Sequence, residues 1–193
     1  MRIIFLGSGE FGLPTLQRLE GRHQVVAVIT QPDRPSGRRR APAATPIAQY
    51  AQAAGMTVSR CADVNEPQFV RDVQTLRAEF AVVIAFGQKL GPQLVEALGP
   101  QTVNLHASLL PRYRGAAPIN WAIIQGETHT GLTVISIEPK MDGGLVFAQA
   151  RTDIDPLETA GQLHDRLAAM GPDLVEQVLE RASRRRPVGT AAG

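Results

Sequence analysis

The sequence predicts an α/β protein with a doubly wound, mostly parallel twisted sheet and helices on both faces of that sheet. Short runs rich in β-branched and apolar residues alternate with longer stretches of helical apolar spacing, an order typical of this fold class. Residues 80–86 are all apolar, as expected of a central parallel strand covered on both faces. The 193 residues, 44% hydrophobic and 20% charged, are enough for one domain with a sizeable core.

The first half of the chain contains three predicted strands, at residues 2–6, 24–30 and 80–86. The first is apolar after Arg2, and the second is rich in β-branched residues. Helices are predicted at residues 15–19, 47–54 and 67–79, where apolar residues recur three or four positions apart. Residues 31–44 are rich in proline, glycine and arginine, which predicts an exposed loop.

The second half contains predicted strands at residues 102–106, 131–138 and 145–150, and predicted helices at 94–98, 119–124 and 158–181. Asp155 with Glu158 is typical of a capping box at the start of the last helix. Gly171 and Pro172 should kink or split this helix, because proline lacks a donor and clashes with the preceding turn. We expect residues 1–182 to form one domain. Residues 183–193 form a basic tail or the start of a linker to a further domain.

Composition excludes several classes of protein. The single cysteine, Cys61, rules out an internal disulfide and a multi-cysteine metal site and favours the cytoplasm. No apolar run reaches the roughly 18–20 residues that cross a bilayer, and the start of the chain does not resemble a signal peptide. We therefore expect no membrane association. His23, His129 and His164 lack the spacing of metal ligands, and we expect no metal.

The stretch from Gly7 to Gly12 matches G-x-G-x-x-G between a predicted strand and a predicted helix, the context of a dinucleotide-binding turn. Asp33 lies near the spacing of the ribose-binding acid, but Gln31 and Pro32 separate it from the second strand. A dinucleotide site would also leave the polar residues described next unexplained. We interpret these glycines as permitting a tight turn only.

Three polar residues form the candidate catalytic set. Asn104 and His106 lie two residues apart at the end of a predicted strand, so their side chains project from the same side. An amide can donate to a developing oxyanion, and an imidazole can do the same and also move a proton. Asp142, further along the chain, can orient the imidazole and favour its charged form.

The run from Asn104 to Pro111, followed by Gly115 and Asp142, resembles the N-x-H…S-L-L-P…G…D signature of folate-dependent formyltransferases. The resemblance implies a Rossmann-like formyltransferase fold, with 10-formyltetrahydrofolate as formyl donor and Asn104, His106 and Asp142 as catalytic residues. It also implies that the reduced folate is bound at two segments. These are Phe86, Gly87, Gln88, Lys89 and Leu90, through main-chain atoms, and the turn of Ser108, Leu109, Leu110 and Pro111.

The acceptor is indicated by a second resemblance. The segment from Thr30 to Arg38 is similar to the T-Q-P-D-R-P-x-G-R loop of methionyl-tRNA formyltransferases. Arginines suit contacts with phosphates, and the resemblance implies tRNA binding by Arg34, Arg38, Arg39 and Arg40. It implies formyl transfer to the α-amine of initiator methionyl-tRNA for translation initiation, and we expect a monomer. Similarity to this family extends to about Leu179.

The sequence also departs from that family. Gly9 and Gly12 replace a common Pro and Ala, Gly143 replaces a common Thr, and Asn120-Trp121 is closer to sugar-nucleotide formyltransferases. The resemblance also implies a C-terminal β-barrel domain, which these 193 residues do not include, so we expect the chain to be a formyltransferase domain of a longer protein or a natural short form. Two other acceptors are the alternatives: an amino-sugar nucleotide ranks second, and glycinamide ribonucleotide ranks third. A non-catalytic folate- or dinucleotide-binding domain is the alternative of a different class.

Overall fold

The computed structural model describes residues 1–36, 41–99 and 101–184. The strands found there are β1 (Arg2–Gly7), β2 (Gln24–Thr30), β3 (Arg34–Ser36), β4 (Ala41–Ala43), β5 (Val58–Arg60), β6 (Phe80–Ile84), β7 (Thr102–His106), β8 (His129–Ser136) and β9 (Val146–Asp153). The helices are α1 (Leu13–Arg22), α2 (Pro46–Ala53), α3 (Pro67–Thr75), α4 (Pro92–Leu98), α5 (Pro118–Ile124) and α6 (Ala160–Arg184). A 3₁₀ turn, Glu10–Gly12, precedes α1.

Seven strands form one sheet in the order β5-β2-β1-β6-β7-β8-β9. The first five are mutually parallel, whereas β8 is antiparallel to both of its neighbours. The predicted mostly parallel sheet is thus confirmed. The chain proceeds outward from β1 to β2 and β5, then crosses to β6 on the other side of β1. Such a reversal opens a crevice at the carboxyl ends of the two diverging strands.

The core has one layer on each face of the sheet. Buried residues of α1, α2, α5 and α6 pack on one face, and those of α3 and α4 on the other, so the sheet is doubly wound as predicted. Strand β6 is buried at every position. It ends at Ile84, two residues before the predicted end, because Ala85 has φ +46° and Gly87 has φ +82°, which are not strand conformations.

The prediction of a loop at residues 31–44 was wrong in part, because these residues include the two-stranded hairpin β3–β4. Pro35 and Pro42 face each other in this hairpin. Neither can donate a backbone hydrogen bond, so the composition suggested a loop. The short edge strand β5 was also not predicted. Residues 37–40, which include three of the arginines assigned to tRNA, lie outside the described residues.

The last helix differs from its prediction at both ends and in the middle. It starts at Ala160, capped by Thr159 and Gln162, whose side chains bond to each other's backbone N–H at 3.3 and 2.9 Å. Asp155 instead accepts from the Leu157 N–H at 2.8 Å. The helix runs unbroken through buried Pro172 to Arg184, so it is not split there.

Tertiary packing accounts for the continuity of α6. Gly171 lies so close to the sheet and to α1 that a Cβ there would come within 2.9 Å of Leu105 and 3.0 Å of Thr15. The buried face of α6 therefore stays in register across the Gly-Pro pair. None of the helices in the described ranges combines the length and apolar character that a membrane span requires.

Candidate active site

The three candidate catalytic residues converge on one pocket of about 670 Å³ at the carboxyl edge of the sheet. Asn104 and His106 reach it from β7, and Asp142 from the connection between β8 and β9. Gly9 and Phe11, beyond the end of β1, line the opposite side. The pocket therefore occupies the crevice that the strand order creates between β1 and β6.

His106 is held in one orientation by two neighbours. Its Nε2 lies 2.8 Å from the carbonyl oxygen of Tyr113. Because a carbonyl only accepts, Nε2 carries a proton. Its Nδ1 lies 3.5 Å from Oδ2 of Asp142, with the two side chains 8% and 13% exposed. The imidazole is thus oriented by a hydrogen bond at Nε2, while Nδ1 faces the carboxylate of Asp142.

Asp142 is fixed by the backbone of the loop after β7. The Gly115 N–H donates to its Oδ2 at 2.7 Å. Asp142 has φ +47° and Gly115 φ +85°, and the left-handed region is unfavourable for residues other than glycine. The hydrogen bond helps to offset this backbone strain at the site.

Asn104 is half-buried, and its side-chain amide has no hydrogen-bond partner among the described residues. Polar groups that are withdrawn from water are usually paired. Since Asn104 lines the pocket beside His106, its amide is available to donate to a ligand oxygen.

All five residues predicted to grip the folate through main-chain atoms, Phe86, Gly87, Gln88, Lys89 and Leu90, line this pocket. The N–H groups of residues 87–90 are not paired within the described part of the chain, so they are open to a ligand or to solvent. The side chain of Gln88 is used internally, since it accepts from the Val64 N–H at 3.2 Å and donates to the Cys61 carbonyl at 2.8 Å.

Two residues that the sequence analysis did not assign hold this segment in place. Gln31 donates through Nε2 to the Phe86 carbonyl at 2.9 Å, and the Ser8 hydroxyl donates to the same oxygen at 3.0 Å. A Cβ on Gly87 would lie 2.2 Å from Nε2 of Gln31. The burial of Gln31 directly after β2 is the signal that indicates its contact with Phe86. A segment rich in proline, glycine and arginine does not predict that burial.

The turn of Ser108, Leu109, Leu110 and Pro111 lies in the described part of the chain, yet none of the four lines the pocket. The Ser108 carbonyl accepts from the Thr133 hydroxyl at 2.6 Å, and the Leu110 N–H donates to the same hydroxyl at 3.1 Å. These contacts tie the turn to β8. The turn therefore lies next to β8 and outside the lining of this pocket, and its contact with the folate stays a prediction.

The glycine pattern after β1 has a steric explanation. A Cβ on Gly7 would lie 2.6 Å from the Phe5 ring and 2.9 Å from the Ile84 carbonyl. Asp33, near the spacing of a ribose-binding acid, instead accepts from Nε of Arg60 at 2.7 Å. Both observations support the interpretation of a tight turn.

Arg34, the described member of the predicted tRNA-binding set, is exposed on β3. Arg38, Arg39 and Arg40 fall outside the described residues. Within the described part of the chain, no three histidine, cysteine or acidic side chains are arranged as a metal site.

Known proteins are similar to this chain in sequence or in fold. Residues 1–179 match the family model described as formyl transferase. The chain is 43% identical over 181 residues to the methionyl-tRNA formyltransferase of Moorella thermoacetica, covering 93% of this chain and 58% of that protein. It is also 43% identical over 181 residues to that of Paracoccus denitrificans, covering 94% of this chain and 61% of that protein.

Solved structures of lower identity share the fold. A phosphoribosylglycinamide formyltransferase from Bacillus halodurans aligns with a TM-score of 0.79 at 22% identity, over 96% of both chains. A formyltetrahydrofolate deformylase from Pseudomonas syringae pv. tomato aligns with a TM-score of 0.76 at 18% identity, over 98% of this chain and 63% of that one. Since the family model matches residues 1–179, the chain belongs to the formyl transferase family.

Proposed function

We propose that this chain transfers the formyl group of 10-formyltetrahydrofolate to the α-amine of methionyl-tRNA. The observation that carries the proposal is the convergence of Asn104, His106 and Asp142 on one pocket with the free N–H groups of residues 87–90. The relatives named for this activity are 43% identical, but the chain spans only 58% and 61% of their length. Because these relatives are longer than this chain, their activity is a proposal for this chain.

The pocket fits a reduced folate in size and chemistry. Its volume of about 670 Å³ lies within the range of roughly 300–1,000 Å³ of small-molecule sites. Apolar side chains of Val83, Phe86 and Leu90 line it beside the unpaired N–H groups. When bound, the folate supplies a formyl group carried on a nitrogen atom.

The residues suit the charge changes of a formyl transfer. A bond forms between the acceptor's amine nitrogen and the formyl carbon, the bond from that carbon to the donor nitrogen breaks, and one proton moves from the first nitrogen to the second. The Asn104 amide, and Nδ1 of His106 when it carries a proton, can donate to the formyl oxygen as it gains negative charge, each worth about 3–4 kcal/mol of barrier. Nδ1 of His106 lies 3.5 Å from Asp142. It is the ring nitrogen that can exchange a proton with a ligand.

The turn between β1 and α1 favours an acceptor without a phosphate at this end of the pocket. A glycine-rich turn before a helix commonly binds phosphate. Here Glu10 of the turn is among the residues that line the pocket, and its negative charge disfavours an anion there. This argues against glycinamide ribonucleotide, although such enzymes share the fold.

Ligand binding by the loop at residues 86–90 provides the first test. We expect calorimetric titration to show binding of 5-formyltetrahydrofolate and none of NAD or NADP. Gly87→Ala should raise the dissociation constant for the folate about tenfold or more, which corresponds to about 1.4 kcal/mol, because the new Cβ collides with Gln31.

Gly55→Ala is the matched control for Gly87→Ala. Gly55 has φ +73° but nothing within 4 Å of a Cβ, so the variant carries the backbone strain without the collision and should bind as the parent does. Tight dinucleotide binding without folate binding would replace our proposal with the dinucleotide alternative.

The acceptor is tested at the arginine-rich loop. Replacing Arg38, Arg39 and Arg40 by alanine should weaken methionyl-tRNA binding, and each lost phosphate contact should reduce the slope of log K against log salt by about one. The titration is best run at low salt, where phosphate contacts are strongest. Affinity for 5-formyltetrahydrofolate should stay unchanged, because the pocket proposed to bind the folate lies at the ends of β6 and β7.

A triple variant with alanine at Arg71, Arg151 and Arg181, on three other elements, controls for the loss of three charges. If the loop variant binds methionyl-tRNA with the parental salt slope, the loop does not contact tRNA. Transfer to an amino-sugar nucleotide then becomes the preferred function.

A further inference from the structure

We propose that Glu127 is a positioning residue that holds the catalytic His106 and Asp142 through the loop of residues 112–117, here called the Tyr113 loop. The proposal rests on the proposed formyl transfer, and it names a residue that lies outside the pocket lining. The Tyr113 loop makes two contacts with the site, and Glu127 makes two contacts with the loop.

Both partners of the catalytic pair depend on backbone atoms of the Tyr113 loop. The Tyr113 carbonyl accepts from Nε2 of His106 at 2.8 Å, and the Gly115 N–H donates to Asp142 at 2.7 Å. These atoms lie two residues apart in one short segment. A displacement of the loop would therefore change the tautomer of His106 and the position of Asp142 together.

The Tyr113 loop cannot keep this conformation by local preference alone. Tyr113, Gly115 and Ala117 have φ values of +54°, +85° and +55°. The left-handed region is unfavourable for tyrosine and alanine, so surrounding contacts must maintain it. At its start, the Ser108 hydroxyl donates to the Arg112 carbonyl at 2.6 Å.

Glu127 supplies the side-chain contacts to this loop. Its Oε1 accepts from the Tyr113 hydroxyl at 2.5 Å and also pairs with the guanidinium of Arg112. The Glu127 side chain is only 13% exposed, and its own N–H donates to the Ala122 carbonyl at 3.0 Å. One carboxylate thus links two consecutive loop residues to the end of α5.

The charges of Glu127 and Arg112 and the protonated Tyr113 hydroxyl favour these contacts at neutral pH. The hydrogen bond from Tyr113 and the nearby Arg112 lower the pKa of Glu127, with a smaller contribution from His129. The hydrogen bond to Glu127 raises the pKa of Tyr113. At neutral pH the carboxylate is ionised and the phenol keeps its proton, so the contact is present wherever the enzyme is assayed.

The test measures both turnover and the His106 tautomer. Glu127→Ala should lower kcat about tenfold, the lower end of the effect of removing an outer contact that orients a metal-bound histidine, with KM for the folate changed less than twofold. Nitrogen NMR of the resting protein should show His106 protonated at Nε2 in the parent and a mixture of tautomers in Glu127→Ala. Glu127→Gln keeps an oxygen that accepts from Tyr113, and should restore most of both signals.

The control is Glu158→Ala, which removes a similarly paired carboxylate: Glu158 is 9% exposed and bound to Arg166, and it does not line the pocket. It should leave kcat and the His106 spectrum unchanged. Parental kcat and spectrum in Glu127→Ala, or an equal loss in Glu158→Ala, would overturn the proposal. If Glu127→Ala does not fold, Tyr113→Phe is tested instead, because it removes the hydroxyl that donates to Glu127. This variant should show a smaller loss of kcat, and a parental kcat would refute our inference. Because the NMR signal needs no turnover, a failure of the formyl-transfer proposal is distinguishable from a failure of this one.

Discussion

Replacing His106 by alanine should lower kcat for formyl transfer by roughly several hundred-fold or more, with a small change in KM. The imidazole acts on charge that develops during the transfer, and an interaction made only in the transition state affects kcat rather than binding. Turnover of 10-formyltetrahydrofolate with methionyl-tRNA measures the effect. Thermal unfolding checks that the loss of a buried side chain has not unfolded the protein.

His129→Ala is the matched control for this variant. His129 lies on β8, partly buried and outside the pocket lining, so its removal should leave turnover at the parental level. A His106→Ala protein that turns over at nearly the parental rate would eliminate the catalytic assignment.

Replacing Asp142 by asparagine should also lower kcat several hundred-fold or more. The amide keeps the size of the carboxylate and an oxygen that can accept from the Gly115 N–H, so the Tyr113 loop should stay in place. What is lost is the negative charge that faces Nδ1 of His106 at 3.5 Å. The imidazole then loses the carboxylate that orients its Nδ1.

Asp155→Asn controls for the same change of chemistry elsewhere. Asp155 accepts from the Leu157 N–H at 2.8 Å and does not line the pocket, so we expect parental kcat. If Asp142→Asn has a parental kcat and pH profile, the charge of Asp142 is not needed, and the residue only supports the loop.

The sheet was predictable because burial on one or both faces leaves a pattern in the sequence. Strand β6 is apolar and buried at every position, and Asn104 and His106 share a side because strand side chains alternate. The hairpin β3–β4 was not predictable, because Pro35 and Pro42 suggested a loop. The unbroken α6 was not predictable either, because local preference favours a break at Pro172.

The identities of the candidate catalytic groups are present in the sequence itself: an amide and an imidazole two residues apart, and a later carboxylate. Their mutual arrangement is not. The contact between Gly115 and Asp142 joins residues 27 positions apart, and the Tyr113 carbonyl that orients His106 would be present with any side chain at that position. Backbone atoms carry no mark in a sequence, so the orientation of His106, the contacts of Glu127 with the Tyr113 loop and the position of the Ser108 turn were decided only when folding set long-range distances.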